Sequence, residues 1–284
     1  QHSARYVNVH FLSALDAPIL SKKEFLLDSI SAMTGLSYEY DDKGIGVKNE
    51  EMIFRVMLDD SNPVSIRSSI FSARENARGT RDILSFELWQ SINEFYHEVN
   101  TYVGRDLTED DIIAFTEMVV NNCAIVTGYI HHSLIHDETW SLIRMGMHAE
   151  AAAQVARILI SKVKDILKAE TDHLGKEVEN YQCITLLKSV QAFDMSRIQY
   201  KAVPNLRDSL EFVILSKDFP RSILFNLNEV KKCLTKVSVS KIEEKGSAEF
   251  FAGKLNATFS YLTVEDIEKD VLNFLEKTLD DVYK

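Results

Sequence analysis

The chain has 284 residues, 45% of them hydrophobic, and a formal net charge of −11. A chain of this length can bury a large core, and only 10 glycines and 4 prolines favour long helices over many short strands. The acidic balance argues against nucleic acid as the main partner, because phosphate binding needs a basic face.

The three cysteines lie far apart and form no C-x-x-C pair, which argues against a disulfide framework or a zinc site. No unbroken run of about 18 apolar residues occurs, so no membrane span is expected. No positively charged leader followed by an apolar stretch stands at the start. We therefore expect a cytoplasmic protein that does not contact a membrane.

Helical spacing is present from the first residues, through Ala4, Val7 and Phe11. No capping residue precedes them, so we expect more of this helix before Gln1. Pro18 ends the helix. A capping box of Ser21 and Glu24 then starts a short helix that Gly35 closes. Residues 36–48 form a loop, and another short helix follows at about 50–58.

Residues 62–99 carry the most distinctive pattern in the chain. Pro63 and Ser65 indicate a helix start. Apolar residues then recur at helical spacing: Ile66, Ile70, Ala73, Ala77, Leu84, Leu88, Ile92, Phe95 and Val99. This pattern predicts one long helix, which Gly79 kinks.

Three arginines border the apolar face of that helix. At about 100° per residue, Arg81, Arg74 and Arg78 lie about 40°, 60° and 100° from its centre, with Glu75 and Asp82 on the same flank. One interpretation is a flank of solvated ion pairs at i,i+4 spacing. The other is an edge that binds anions or carboxylates, because guanidinium forks bind such groups bidentately.

Further helices follow in order. Thr108 with Asp111 caps a long helix to about residue 134, and Asp137 starts the next. That next helix has apolar or small residues at steps of three and four: Leu142, Gly146, Ala149, Ala153, Ala156, Ile160, Val163 and Leu167. The small residues of this seam admit a closely packed partner helix or leave room for a ligand. Other helices are predicted at about 173–192, 206–215, 221–240, 247–262 and 264–283, the last capped by Thr263.

Two segments of the chain repeat. V-M-L-D-D-S-N-P-V-S-I at 56–66 matches V-I-L-S-K-D-F-P-R-S-I at 213–223, an offset of 157 residues, and Ala4-Arg5 matches Ala156-Arg157. We predict an all-α, duplicated antiparallel helical bundle with a pseudo-twofold internal repeat. Its parts are a first repeat (1–135), a second repeat (136–240) and C-terminal helices packing on the bundle (241–284), in one compact domain.

The two repeats are not chemically equal. At an offset of 157, Lys231, Lys232 and Thr235 stand opposite Arg74, Glu75 and Arg78. A cluster that served only as scaffold would be expected in both repeats. Its absence from the second favours a specific role for the first.

Several histidines have the spacing of metal ligands. The E-x-x-H pairs Glu94–His97 and Glu170–His173 resemble the ligands of di-iron bundles, and His132 with His136 could bind zinc. Helix geometry and a helix boundary argue against the two E-x-x-H pairs, and histidines are common at helix ends. We predict no metal and no cofactor. No nucleophile elbow, P-loop or dinucleotide fingerprint is present.

Several motifs resemble the alpha-E domain family, all-helical bacterial proteins. They are A-R-E-N-A-R at 73–78, R-D at 81–82, Trp89, N-P-x-S-I at 62–66 and H-D-E-T-W-S-L-I-R-M-G at 136–146. Gly146, Glu150, Ala152, Ala156 and Arg157 also fit, whereas Ala151 and Ala153 stand where the family has charged residues. The resemblance implies an E-R-A-E-like motif directly before Gln1.

Members of that family are usually encoded beside ATP-grasp amidoligase-like and transglutaminase-like proteins. The resemblance therefore implies an accessory or scaffold protein that works with such a partner in making or modifying a peptide. An enzyme with Glu75 as general base in an arginine-lined cleft is an alternative, and a structural interaction module is another. The candidate site residues are Arg74, Glu75, Arg78, Arg81, Asp82 and Glu150. We expect the arginines to be partly buried and bonded across to another helix, with Glu150 as an acceptor.

Overall fold

The structure is a computed structural model that describes residues 1–16, 49–171, 176–237 and 245–283. These residues form helices joined by turns, with no strand among them, so the all-α prediction is confirmed. The chain divides into two compact units, 1–135 (unit 1) and 136–284 (unit 2). The predictions for Ser21, Glu24, Gly35 and the loop at 36–48 lie outside the described residues.

Unit 1 contains five described α-helices. They are α1 (His2–Asp16), α2 (Asn49–Met57), α3 (Ile66–Gly79), α4 (Phe86–Asn100) and α5 (Glu109–His132). Helix α5 packs against α1 and α4, and α3 packs against α4. Tyr6, Phe115 and Val99 are buried where these helices meet.

The prediction of one long helix over 63–99 is wrong. Helix α3 ends at Gly79, a 3-10 turn spans Arg81–Ile83, and α4 begins at Phe86. The Ser85 side chain accepts a hydrogen bond from the Leu88 backbone N–H at 3.2 Å and so caps α4. Thr80 leaves the helical region at φ −125°. The angles calculated for a continuous helix therefore do not apply to Arg81.

The predicted helix starts at the other capping residues are confirmed. The Ser65 hydroxyl accepts from the Ser68 N–H at 3.1 Å, although the helix starts at Ile66 and not at Pro63. Thr108 and Thr263 each form a reciprocal capping box with the aspartate three residues later. A carboxylate oxygen of Asp137 accepts from the Trp140 N–H at 3.0 Å.

Unit 2 is built around its longest helix. Its described α-helices are α6 (Glu138–Thr171), α7 (Lys176–Ser189), α8 (Phe193–Tyr200), α9 (Leu206–Leu210), α10 (Ile223–Val237), α11 (Ala248–Ser260), α12 (Val264–Glu268) and α13 (Val271–Val282). Helices α7, α10 and α13 pack against α6, and α11 packs against α10.

Helix α6 is buried on several sides, not along a single seam. From Ala152 to Ile166 nearly every side chain is buried, because three helices surround this part. The seam residues divide accordingly. Ala153, Ala156 and Val163 are buried, whereas Leu142 is 49% and Leu167 40% exposed.

Two other predicted helices differ from the structure, and one helix was not predicted. The predicted helix at 264–283 is two helices, because Asp270 caps α13 through the Asn273 N–H. The predicted helix at 206–215 is α9 followed by a π-helical turn, Glu211–Leu215. Helix α8 was not predicted. Phe193–Tyr200 lies between two short loops, with Gln191 and Lys201 in the left-handed region at φ 56° and 51°.

Among the described helices, α5 is long and apolar enough to cross a membrane, by length and composition alone. Its apolar residues do not form an unbroken run, because Glu117, Asn121 and Asn122 stand among them. Core helices of soluble proteins meet the same criterion. Helix α5 packs against α1 and α4 within unit 1, and its Phe115 and Val119 are buried.

Candidate functional site

The predicted arginines belong to a groove between α3 and α4, which we call the arginine groove. Arg67, Phe71, Arg74 and Arg78 follow one another on α3 at steps of four, three and four residues, so they share one face. Asn93, Tyr96 and Asn100 share a face of α4 at steps of three and four. The two helices are antiparallel, and Arg67 meets Asn100 while Arg74 meets Asn93.

Arg74 makes more contacts than the other arginines of the groove. Its Nε donates to Asn93 Oδ1 at 2.7 Å, and its Nη1 donates to Glu75 Oε1 at 2.8 Å. The guanidinium carbon lies 4.7 Å from the centre of the Tyr96 ring. The side chain is 21% exposed. Arg74 is therefore fixed in place while one edge of its guanidinium stays open to solvent.

Arg67 repeats this arrangement two turns earlier on α3. Its Nε donates to Asn100 Oδ1 at 3.3 Å, and its Nη1 lies 3.1 Å from Asp60 Oδ2. Asn100 is itself held, because its Nδ2 donates to the Tyr96 carbonyl at 2.7 Å. Beside Arg67, a depression of about 260 Å³ reaches Phe71 and Tyr96. The groove therefore combines cationic and aromatic surface at one end.

The other predicted arginines are more exposed than expected. Arg78 is 63% exposed, and its Nη2 lies 3.3 Å from Glu75 Oε2. Arg81 and Asp82 lie in the exposed 3-10 turn after α3, where the guanidinium carbon of Arg81 is 4.8 Å from the Trp89 ring centre. The expectation of partial burial holds for Arg74 and Glu75 and is wrong for Arg78 and Arg81. Arg78 lies in the last turn of α3 and Arg81 in the turn that follows, and neither side chain is covered by another helix. Ala73, predicted on the apolar face, is also exposed.

Glu150, the remaining candidate, makes its contacts within unit 2. Its carboxylate accepts from Gln154 Nε2 at 2.6 Å and from the Tyr283 hydroxyl at 3.3 Å, and it lies 3.8 Å from Arg157. Burial, then the negative charge of Glu150, raises the pKa of Tyr283. This cluster joins α6 to the end of α13.

The groove is a local excess of positive charge in an acidic chain. Three arginines, Arg67, Arg74 and Arg78, pair with two acids, Asp60 and Glu75, whereas the whole chain has a formal charge of −11. Two of the anchoring groups, Asn93 and Asn100, are neutral amides. These amides orient the guanidinium groups without adding negative charge to that of Asp60 and Glu75. An anion entering the groove therefore meets oriented, charged N–H donors.

Sequence reasoning missed five groove residues: Arg67, Phe71, Asn93, Tyr96 and Asn100. The signal for Arg67 was its place seven residues before Arg74, which is the same helix face. The α4 residues could be chosen only once the break at Gly79 was known, because that break lets α4 fold back along α3.

Sequence reasoning also missed a buried charged cluster in unit 2. Lys162, 2% exposed, donates from Nζ to Asp165 Oδ2 at 2.8 Å and to Gln182 Oε1 at 3.4 Å. Burial lowers the pKa of Lys162, and Asp165 opposes that change. The cluster lies between α6 and α7, away from the surface, so it has a structural role.

The described residues contain no group of three or more His, Cys, Asp and Glu side chains that could hold a metal ion. His136 stacks on Trp140 with ring centres 4.0 Å apart, and Glu94 accepts from Gln90 Nε2 at 2.7 Å. His173 lies outside the described residues. Burial raises the pKa of Cys183 to about 12, which makes this thiol a poor nucleophile.

The fold and the groove define an all-helical protein with an oriented arginine cluster on one helical hairpin. The chain belongs to the Alpha-E family, whose model is described as a predicted alpha-helical domain with a conserved ER motif and matches residues 1–284. Comparisons with curated proteins and with solved structures gave no match. No Glu-Arg dipeptide occurs in the 284 residues, and Glu150 is followed by Ala151.

Proposed function

We propose that this protein is an accessory component of an ATP-grasp amidoligase-associated system, and that its arginine groove binds a carboxylate-bearing segment of a partner or substrate. The observation that carries the binding role is the anchoring of Arg67 and Arg74 by Asn100 and Asn93. The amides hold the Nε atoms and remove much of the conformational freedom of the guanidinium groups, while Asp60 and Glu75 together offset two of the three positive charges of Arg67, Arg74 and Arg78. Less ordering entropy is then lost on binding.

The aromatic side chains of the groove support the same role. Tyr96 lies under Arg74, Trp89 under Arg81, and Phe71 is 48% exposed beside them. Arginine, tryptophan and tyrosine are enriched among residues that dominate binding energy at protein interfaces. The ligand is therefore an acidic peptide segment, whose carboxylates pair with the arginines and whose apolar atoms cover the rings.

A catalytic role for Glu75 has less support. Its two oxygens are each already placed against a guanidinium, Oε1 against Arg74 and Oε2 against Arg78. A general base needs an oxygen directed at the proton it removes. We therefore place Glu75 among the residues that orient the arginines.

The link to an ATP-grasp ligase rests on the alpha-E resemblance. Such a ligase joins a carboxyl group to an amine, and a groove for carboxylates is chemically consistent with presenting a substrate of that kind. A ligase encoded beside this protein should therefore form less product when the groove is disabled.

We further infer that the two units derive from one duplicated helical unit. The cap at Ser65 and the cap at Ser222 make the same bonds at an offset of 157. Ser65 N–H donates to the Asn62 carbonyl at 3.1 Å and Ser222 N–H to the Phe219 carbonyl at 2.9 Å, and each hydroxyl accepts from the N–H three residues on at 3.1 Å. Helices α3 and α10 begin at equivalent positions, Ile66 and Ile223.

Binding to the groove can be tested with a hexaglutamate peptide, using hexaglutamine as the neutral control. Trp89 stands four residues before Asn93, which places it on the groove face of α4, and Trp140 lies in unit 2. A Trp140→Phe background therefore makes fluorescence report on the groove. We expect saturable quenching or enhancement by hexaglutamate. Arg74→Gln combined with Arg78→Gln should weaken binding at least about tenfold, since two charge-assisted contacts are lost.

The matched control is Lys217→Gln combined with Lys231→Gln, which removes the same charge from exposed positions of unit 2. Equal weakening by both double variants would mean that only net charge matters, and would contradict the groove. Binding of hexaglutamine as tight as that of hexaglutamate would contradict it too. The ligase assay with the same two variants then tests the wider role separately.

A further inference from the structure

A second surface lies in unit 2, between α11 and α13. The two helices line a cleft of about 480 Å³, which is in the size range of small-molecule sites. Phe259 near the end of α11 and Phe274 near the start of α13 contact each other, with ring centres 5.6 Å apart. They close the cleft at the end where the chain passes from one helix to the other.

Helices α4 and α5 of unit 1 pack differently from α11 and α13. Helices α4 and α5 pack directly against each other. The rings of Tyr102 and Phe115 also contact each other, with their centres 5.1 Å apart. In unit 2, the described parts of α11 and α13 make little direct contact, although α13 still packs on α6 and α11 on α10. The helices are therefore held apart by their other neighbours, and the space between them is left for an occupant.

The lining of the cleft is apolar with a cationic rim. Leu255, Phe259 and Phe274 form apolar walls. Thr258 and Thr278 also line the cleft, but their hydroxyls donate to the carbonyls four residues earlier, Lys254 and Phe274, at 3.0 and 2.8 Å. The hydroxyl protons are thus already used, and these side chains offer no further N–H or O–H donor to a ligand.

The charges of the rim come from both helices. Lys254 on α11 and Lys277 on α13 line the cleft, and neither forms an ion pair with any residue that the structure describes. Asp281 also lines the cleft, so the lysines leave one positive charge in excess. An apolar cleft edged by two lysines suits a molecule that has an apolar body and one negative end.

We propose that this cleft binds a free long-chain carboxylate, with its chain between the two phenylalanines and Leu255 and its carboxylate at Lys254 and Lys277. A helix from a protein partner fits less well. One turn of helix with its side chains occupies on the order of 400 Å³, from a diameter of about 10 Å and a pitch of about 5.4 Å. The cleft would hold barely one turn.

The probe is dodecanoate below its micelle concentration, titrated calorimetrically into the full chain. We expect one site per chain. Lys254→Met combined with Lys277→Met should weaken binding at least about tenfold, because the apolar stems remain while both charges are removed. Lys217→Met combined with Lys231→Met is the matched control and should leave the affinity unchanged. Thr258→Trp should abolish binding, since its indole fills the cleft from an exposed helix position.

Several results would overturn the proposal. They are no saturable heat with dodecanoate, equal weakening by the two lysine pairs, or equally tight binding of dodecyltrimethylammonium. Association with anionic lipid vesicles without binding of free dodecanoate would assign the cleft to a membrane surface instead and would also refute it. Melting curves of each variant show whether it is folded. Failure here leaves the arginine groove unaffected, because that groove belongs to unit 1.

Discussion

Two helical hairpins begin with the same type of serine cap but have different side chains between their helices. One is formed by α3 and α4 in unit 1, and the other by α10 and α11 in unit 2. In unit 1 the facing side chains are Arg67, Arg74 and their amide partners. In unit 2 the position equivalent to Arg67 is Leu224, which is buried, and the facing helices are joined by Asn256 and Asn228 at 2.6 Å. A helical hairpin of this kind therefore does not need arginines such as Arg67 and Arg74 between its helices to keep its geometry.

The two units also place their charges differently. In unit 1, Arg67, Arg74 and Arg78 lie along a groove with side chains between 21% and 63% exposed, where a ligand can reach them. Unit 2 buries Lys162 with Asp165 at the centre of its core, and it nearly buries Arg144 beside Glu229 at 3.5 Å. Half-exposed charges can serve binding, whereas buried pairs serve packing and are costly to break. Four predictions compare the two units further.

The largest effect is expected in unit 2. Lys162→Met leaves the Asp165 carboxylate buried without its ammonium partner and should destabilise unit 2 by about 3–5 kcal/mol. Lys162→Met combined with Asp165→Leu removes both charges and should recover most of that loss. Urea unfolding followed by Trp140 fluorescence in a Trp89→Phe background measures the effect in unit 2. Similar stabilities for the single and double variants would contradict a buried ion pair.

The same pair predicts a pH dependence. Because burial lowers the pKa of Lys162, the unfolded chain holds more protons than the folded chain between that lowered pKa and the ordinary value near 10.5. Stability relative to the double variant should therefore rise as the pH increases through this window. A difference that falls with rising pH would mean that the folded state favours the charged lysine.

A smaller effect is expected at the two caps. Ser65→Ala and Ser222→Ala each remove an acceptor for an orphan N–H and should each cost about 1 kcal/mol. Both hydroxyls also donate a hydrogen bond, that of Ser65 to the Ser68 hydroxyl at 3.0 Å and that of Ser222 to the Ser216 backbone carbonyl. Ser222→Ala should cost more, because it leaves a backbone carbonyl without this bond. Trp89 and Trp140 report the two units separately. Equal costs, or a larger cost for Ser65→Ala, would show that this second bond adds nothing.

The smallest effects compare two positions at an offset of 157 residues, the partly buried Arg74 and the exposed Lys231. Arg74→Gln loses the bond to Asn93 and the contact with Tyr96, so we expect a loss of about 1 kcal/mol in unit 1. Lys231→Gln, at the equivalent position of α10, should change stability by less than about 0.5 kcal/mol. If both changes were neutral, the anchoring of Arg74 would be weaker than its geometry indicates.

The sequence was most informative where a local rule decides the structure. The capping boxes at Thr108 and Thr263 predicted the helix starts correctly, because this motif depends only on two residues three positions apart. The break after Gly79 was missed because Ala77 and Leu84 are seven residues apart, a spacing that also fits a continuous helix. Ser85, followed by a new helix, was the signal for the break.

The site was predicted in part for a similar reason. Arg74 and Glu75 were identified from their place beside the apolar face of α3. Asn93 and Tyr96 face them only because the chain reverses, and a pattern along one helix cannot show which helix lies opposite. Lys162 stands in the segment S-K-V-K-D, which is typical of an exposed surface. It is buried because three helices surround α6.

The regular spacing of Arg67 and Arg74 also makes the arginine groove sensitive to the distance between the acidic residues of a ligand. Arg67 and Arg74 are seven residues apart on one helix face, which corresponds to about 10.5 Å at about 1.5 Å per residue. A peptide in the polyproline II conformation brings every third side chain to the same side at intervals of about 9.3 Å. The groove should therefore distinguish ligands by spacing, and favour acidic residues three positions apart over acidic residues two positions apart.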